Sequence, residues 1–141
     1  NTVWPGRCEI ILKKPLVILD GAQNVASAKA IVVTIRKNFR YKKLFLVLGI
    51  SKDKDMQGIC KELSYIADEV ILTKSDNPRA SDPENLKNLF VNKSPCLTYS
   101  VKEALLSAKL KAGKQDLILI TGSLFVVGEA RNYLVSGTRL R

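Results

Sequence analysis

The residues with usable chemistry gather just after short apolar runs. Residues 16–19 end on Asp20, with Gly21, Ala22, Gln23 and Asn24 behind it. Residues 44–48 lead into Gly49-Ile-Ser-Lys-Asp-Lys-Asp55, residues 70–72 into Thr73-Lys-Ser-Asp-Asn-Pro-Arg79, and residues 117–120 into Thr121-Gly122-Ser123. These segments hold carboxylates, amides, hydroxyls, cations and glycines. Histidine is absent from the chain. That removes Ser-His and Cys-His nucleophile pairs and any His-ligated metal. What remains is chemistry by binding, charge and orientation.

Each segment also has a plain structural use. Asn24 reads equally as a helix cap and as a ligand, and Gly21 suits a turn. Asp53 and Asp55 can cap a following helix and complement its dipole. Thr121-Gly122-Ser123 opens a helix, so Ser123 is a cap or part of an anion site. Asn77-Pro78 signals a turn whatever else it does.

Periodicity supplies the elements that hold these segments. A strand at 8–12 meets a second at 16–19 across Lys13-Lys14-Pro15, a tight hairpin. Val25, Ala28, Val32, Ile35 and Phe39 recur at helical spacing, as do Met56, Ile59, Cys60, Leu63, Ile66 and Ala67. The unbroken apolar run at 44–48 fits a strand covered on both faces. Further strands are expected at 70–72, 97–99 and 117–120. Asp82-Pro83-Glu84 reads as a cap, a first-position proline and a first-turn acid, before Leu86, Leu89 and Phe90. Ser100-x-x-Glu103 is a capping box for a helix through Leu110. The last helix should run from Ser123 to about Leu134, and the polar tail from Ser136 should fray. Strands alternating with helices predict an α/β fold: a Rossmann-like, mostly parallel sheet, with an antiparallel N-terminal hairpin strand and helices on both faces. Residues 1–141 read as a single domain. In such sheets ligands sit beyond the carboxyl ends of the strands, which would place all four polar segments on one edge.

Composition narrows the class. The chain has 141 residues and a formal net charge of +10, from 23 basic and 13 acidic residues. The lysines are spread and do not interleave with aromatics, which favours a solvated surface over nucleic-acid binding. No apolar stretch is long enough to span a bilayer, and no signal-peptide core is visible. The first residue is Asn rather than Met, so the chain reads as a piece of something longer. Three cysteines, Cys8, Cys60 and Cys96, form no CxxC pair. They read as core or surface thiols in a reducing, cytoplasmic setting.

Five motifs occur in order: "WPGR" at 4–7, "LDGAQN" at 19–24, "DKD" at 53–55, "DNPRASDPE" at 76–84 and "TGSLF" at 121–125. Together they resemble the C-terminal domain of the folylpolyglutamate synthase and dihydrofolate synthase enzymes, within the Mur ligase family. The resemblance covers nearly the whole chain. It implies an ATP-dependent amide ligase: a folate or dihydropteroate carboxylate is phosphorylated, and the amine of L-glutamate displaces phosphate. It implies ATP and Mg2+, with the phosphate loop and magnesium ligands in an N-terminal ATPase domain; the GxxxxGK[ST] pattern is absent here.

By that resemblance Arg7 would reach the ATP phosphates and Asp20 would bind the nucleotide, with the ribose hydroxyls as its partners. Gln23 stands where the family often has His, so orientation remains open to it and proton transfer does not. Ser123 would hold the glutamate or the tetrahedral centre. Arg79 would attract the amino acid's carboxylate or stabilise its own loop. Neither a catalytic side chain nor a metal ligand is assigned within the chain, which would be inactive alone, and Arg7 is expected on a mobile segment. A monomer is expected, without membrane contact. The alternative is a non-catalytic basic α/β module binding nucleotide or nucleic acid.

Overall fold

The computed structural model describes residues 7–139. Trp4, Pro5 and Gly6 of the first motif, and Leu140 and Arg141 of the tail, lie outside the described residues. In chain order the elements are β1 (Glu9–Lys13), β2 (Leu16–Asp20), α1 (Val25–Asn38), β3 (Leu44–Leu48), α2 (Met56–Ser64), β4 (Glu69–Leu72), α3 (Glu84–Lys87), β5 (Cys96–Leu97), α4 (Val101–Lys111), β6 (Leu117–Thr121) and α5 (Leu124–Arg139).

The six strands form one sheet in the order β1-β2-β6-β3-β4-β5. β1 pairs antiparallel with β2, and the other pairings are parallel. Alternate side chains of each inner strand point to opposite faces. Ile18, Leu44, Leu46, Leu48, Val70, Leu72, Leu117 and Leu119 pack with Ile31 and Ile35 of α1, Ile59 and Leu63 of α2, and Leu86 of α3. Val17, Leu19, Phe45, Val47, Ile71, Ile118 and Ile120 pack with Leu105 of α4 and Val126 and Ala130 of α5. Burial on both faces explains why β3 and β6 read as unbroken apolar runs rather than alternating ones. The antiparallel edge is fastened by Arg131 of α5, whose guanidinium lies 3.2 Å from a Glu9 carboxylate oxygen.

Four boundaries differ from the sequence reading. The expected cap of the third helix is not made by Asp82. Its carboxylate instead takes the Lys74 ammonium at 3.2 Å, Pro83 occupies the cap position, and the helix is one turn. Phe90 still reaches the core, from beyond that turn. β5 covers Cys96–Leu97, because Tyr99 and Ser100 are drawn into the start of α4: the Ser100 hydroxyl accepts from Glu103 N, and the Glu103 carboxylate accepts from Tyr99 N. β1 carries a register irregularity between Ile10 and Leu12 that alternation did not show. α5 runs on to Arg139 rather than ending at about Leu134.

Candidate functional site

The parallel register sets the site. Asp20 lies opposite Thr121, Thr121 opposite Leu48, and Leu48 opposite Leu72, so the four polar segments leave the sheet along one edge. Two glycines let those segments close on each other. A Cβ on Gly49 would meet Val126 Cγ2 at 2.8 Å and the Thr73 carbonyl oxygen at 2.9 Å. Gly122 has φ 105°, and a Cβ there would overlap the carbonyl oxygen of Gly49.

Arg7, Asp20 and Gln23 line one cavity of about 410 Å³, walled by Ile31 and Thr34 of α1 and by Leu124 at the start of α5. That volume suits a small organic ligand. The Asp20 carboxylate is held on both sides: Oδ1 accepts from Cys8 N at 2.8 Å and Oδ2 from Ala22 N at 3.1 Å. Burial pushes its pKa up from the usual value, while those two hydrogen bonds and the Arg7 charge pull the other way. Each oxygen keeps a lone pair for a further donor. The Gln23 backbone donates to Ser27 Oγ at 3.1 Å, and its side-chain amide has no partner among the described hydrogen bonds. Asn24 is a helix cap: its Oδ1 accepts from Ser27 N at 2.8 Å, and Ser27 Oγ answers with a bond from Asn24 N.

Ser123 and Arg79 stand outside that cavity. Ser123 is buried, and its hydroxyl accepts from Phe125 N at 3.1 Å, capping α5; its own O–H is free to donate elsewhere. The neighbouring Thr121 Oγ1 is a buried side-chain oxygen without a hydrogen-bond partner. Arg79 is exposed, in a loop built on itself and on the segment after β3. Its backbone N–H donates to Asn77 Oδ1 at 2.9 Å, and its carbonyl accepts from Lys52 N at 2.7 Å. In the β3 segment Asp55 caps α2 through Gly58 N.

Two contributors carried no signal that spacing could reveal. Cys8 lines the main cavity beside Arg7. Glu129, in the second turn of α5, accepts from Asp76 N at 2.8 Å and ties the segment after β4 to that helix. It also borders a second cavity of about 290 Å³ with Lys74, Tyr99 and Lys102. Two of the thiols are poor nucleophiles: burial and Asp20 raise the Cys8 pKa, and burial pushes Cys60 up to about 12. Among the described residues, no three His, Cys, Asp or Glu side chains group to hold a metal ion, and no helix is long and apolar enough to cross a membrane.

The family model for the Mur ligase glutamate ligase domain matches residues 6–124. The chain belongs to the Mur ligase family. Within that family it is similar to folylpolyglutamate and dihydrofolate synthases. It is 40% identical over 134 residues to a probable bifunctional folylpolyglutamate synthase/dihydropteroate synthase of Haloferax volcanii, covering 93% of this chain and 16% of that protein. It is 30% identical over 134 residues to the dihydrofolate synthase/folylpolyglutamate synthase of Bacillus subtilis, covering 95% of this chain and 31% of the relative. This Mur ligase domain therefore spans less than a third of either relative.

Solved structures give the same placement. A Mycobacterium tuberculosis folylpolyglutamate synthase complexed with ADP superposes with a TM-score of 0.86 at 29% identity, over 94% of this chain and 32% of that one. E. coli FolC in complex with ADP superposes with a TM-score of 0.90 at 25% identity, over 99% of this chain and 33% of that one. The Mur ligase domain thus accounts for the mostly parallel sheet and its antiparallel first strand.

Proposed function

We propose that this chain is the C-terminal domain of an ATP-dependent ligase that adds L-glutamate to folate or dihydropteroate through an acyl phosphate. The observation that carries the reading is the convergence of Arg7, Asp20 and Gln23 on one cavity at the carboxyl edge of the sheet. A guanidinium that stays charged can donate two parallel hydrogen bonds to phosphate oxygens. A fixed carboxylate can accept from ribose hydroxyls, and an unpaired amide can do either. Relatives whose structures contain ADP, or AMPPNP and Mn, support a nucleotide with a divalent metal.

The reaction assigns this domain an electrostatic part. A substrate carboxylate oxygen attacks the γ-phosphorus and ADP leaves; the glutamate amine then attacks the acyl carbon and phosphate leaves. Arg7 offsets charge on the transferring phosphate, Asp20 fixes the nucleoside end, and Gln23 orients. Ser123 and Arg79, on neighbouring segments, serve the amino acid. The triphosphate cradle and the Mg2+ ligands belong to an N-terminal ATPase domain of the same protein, which closes against this edge. The enzyme acts as a monomer in the cytoplasm.

The test uses the full-length protein. Glutamate- and folate-dependent phosphate release should be measured for wild type and Arg7→Ala. Loss of a charge-assisted hydrogen bond costs roughly 1.5–3 kcal/mol, so the apparent KM for ATP should rise about tenfold or more. An unchanged ATP dependence removes the assignment of Arg7. Salt-sensitive binding to nucleic acid without ligase activity would instead favour a basic binding module.

A further inference from the structure

Cys8 holds an uncommon backbone conformation for its residue type. Its φ is 46°, in the left-handed region, at the first residue after Arg7. A non-glycine residue stays there only where its surroundings fix it. The fixing group is Asp20, whose Oδ1 accepts from Cys8 N at 2.8 Å across twelve residues of sequence. The carboxylate is itself aimed by its own turn, because Oδ2 accepts from Ala22 N at 3.1 Å. The Cys8 side chain packs against the first core cluster, so the residue is held by its backbone and by its thiol.

Arg7 is one peptide bond before this fastening and lines the same cavity as Asp20. We propose that Asp20 is a positioning residue for Arg7, latching the strained Cys8 backbone so that the guanidinium is held where a polyphosphate binds. This rests on the proposed function and adds to it a role for Asp20 that needs no contact with ribose. The two roles are compatible, because the latch uses one lone pair of one carboxylate oxygen. They differ in what they predict: a ribose acceptor matters only to nucleosides, whereas a latch matters to the phosphate chain alone.

Inorganic triphosphate, which has no ribose, separates them. Its affinity for the full-length protein in the presence of Mg2+ should be measured by calorimetry for wild type, Asp20→Ala, Arg7→Ala and the double variant. A latch predicts that Asp20→Ala weakens triphosphate about as much as Arg7→Ala does, about tenfold, and that the double variant is no weaker than Arg7→Ala. Unimpaired triphosphate binding by Asp20→Ala beside a weakened Arg7→Ala would overturn the proposal and leave the ribose role. Unchanged binding by Arg7→Ala would overturn both the Arg7 assignment and its positioning.

Amide hydrogen exchange on the 141-residue chain reads the latch without any ligand. Cys8 N–H should exchange at least about tenfold faster in Asp20→Ala. The isosteric Asp20→Asn, which keeps an oxygen able to face Cys8, should fall between wild type and Asp20→Ala. Equal Cys8 protection in all three would overturn the latch whatever the ligand arm shows.

Discussion

Gly122→Ala tests whether the edge that carries the site depends on close backbone contact. Gly122 has φ 105°, and a Cβ there would overlap the Gly49 carbonyl oxygen and lie 2.5 Å from Leu48 Cδ1. The conformation costs an alanine about 1–3 kcal/mol. Forcing a methyl against backbone adds about 1–3 kcal/mol, because carbonyls of packed strands move little. A destabilisation of about 3 kcal/mol or more follows. Unfolding entropy of about 2.1 cal/mol/K per residue gives a chain of this length about 0.3 kcal/mol/K, so Tm should fall by about 10 °C. The control is Gly128→Ala, in the second turn of α5, where a Cβ meets nothing within 4 Å. There alanine should stabilise by about 0.5–1 kcal/mol and raise Tm by about 2–3 °C. Thermal melts of the 141-residue chain, followed by circular dichroism and repeated in urea, read both. A Gly122→Ala variant melting within about 2 °C of wild type would refute the close-contact argument.

Three further outcomes are expected. In the full-length protein Gln23→His should remain active with no new limb in kcat between about pH 6 and 7, since the role proposed for the side chain is hydrogen bonding; such a limb would show an imidazole entering the chemistry. The Asp20 pKa is raised above 3.8 chiefly by burial, so this group's contribution to stability is present below 3.8 and lost as pH rises through the folded-state value. Urea melts at several pH values should therefore show wild type gaining on Asp20→Asn as pH falls toward 3.8, and the opposite slope would reverse the sign assigned to burial. The 141-residue chain, given ATP, Mg2+, folate and glutamate, should release no phosphate above background, because positioning and metal neutralisation supply nearly all of phosphoryl transfer; glutamate-dependent turnover by this chain alone would sink the half-enzyme reading.

The sheet was legible because its inner strands are buried on both faces and its helices on one. Residues 44–48 had to be apolar throughout, and Val32 and Ile35 had to recur at helical spacing. Local caps were legible for the same reason: Asn24, Asp55 and Ser100 each bond an amide within three residues. Asp82 looked like another cap, but a cation eight residues earlier takes its carboxylate, and no local rule weighs that competition. The remaining misses are also long-range. Glu129 meets Asp76 across 53 residues, and Asp20 meets Cys8 across 12. Periodicity and capping rules say nothing about contacts that exist only after the sheet has closed.

The carboxylate that ends β2 uses both of its oxygens as acceptors. Asn could satisfy only one of the two backbone donors, because its amide nitrogen would face the other N–H, whereas burial, the largest influence on Asp20, acts against the ionised form. Two backbone donors and the Arg7 charge offset part of that cost, and all three belong to the wall of one cavity. The arrangement is therefore not a generic strand terminus. A negative charge is kept at the edge of a sheet, aimed by its own turn, and tied to the peptide that carries the nearest guanidinium. The Ala22 bond is an ordinary Asp turn, whereas the Cys8 bond crosses twelve residues and exists only in the closed fold. In the proposed ligation Asp20 would act through the Cys8 amide, which belongs to the peptide bond that joins Arg7 to Cys8 and so fixes that segment before any phosphate arrives.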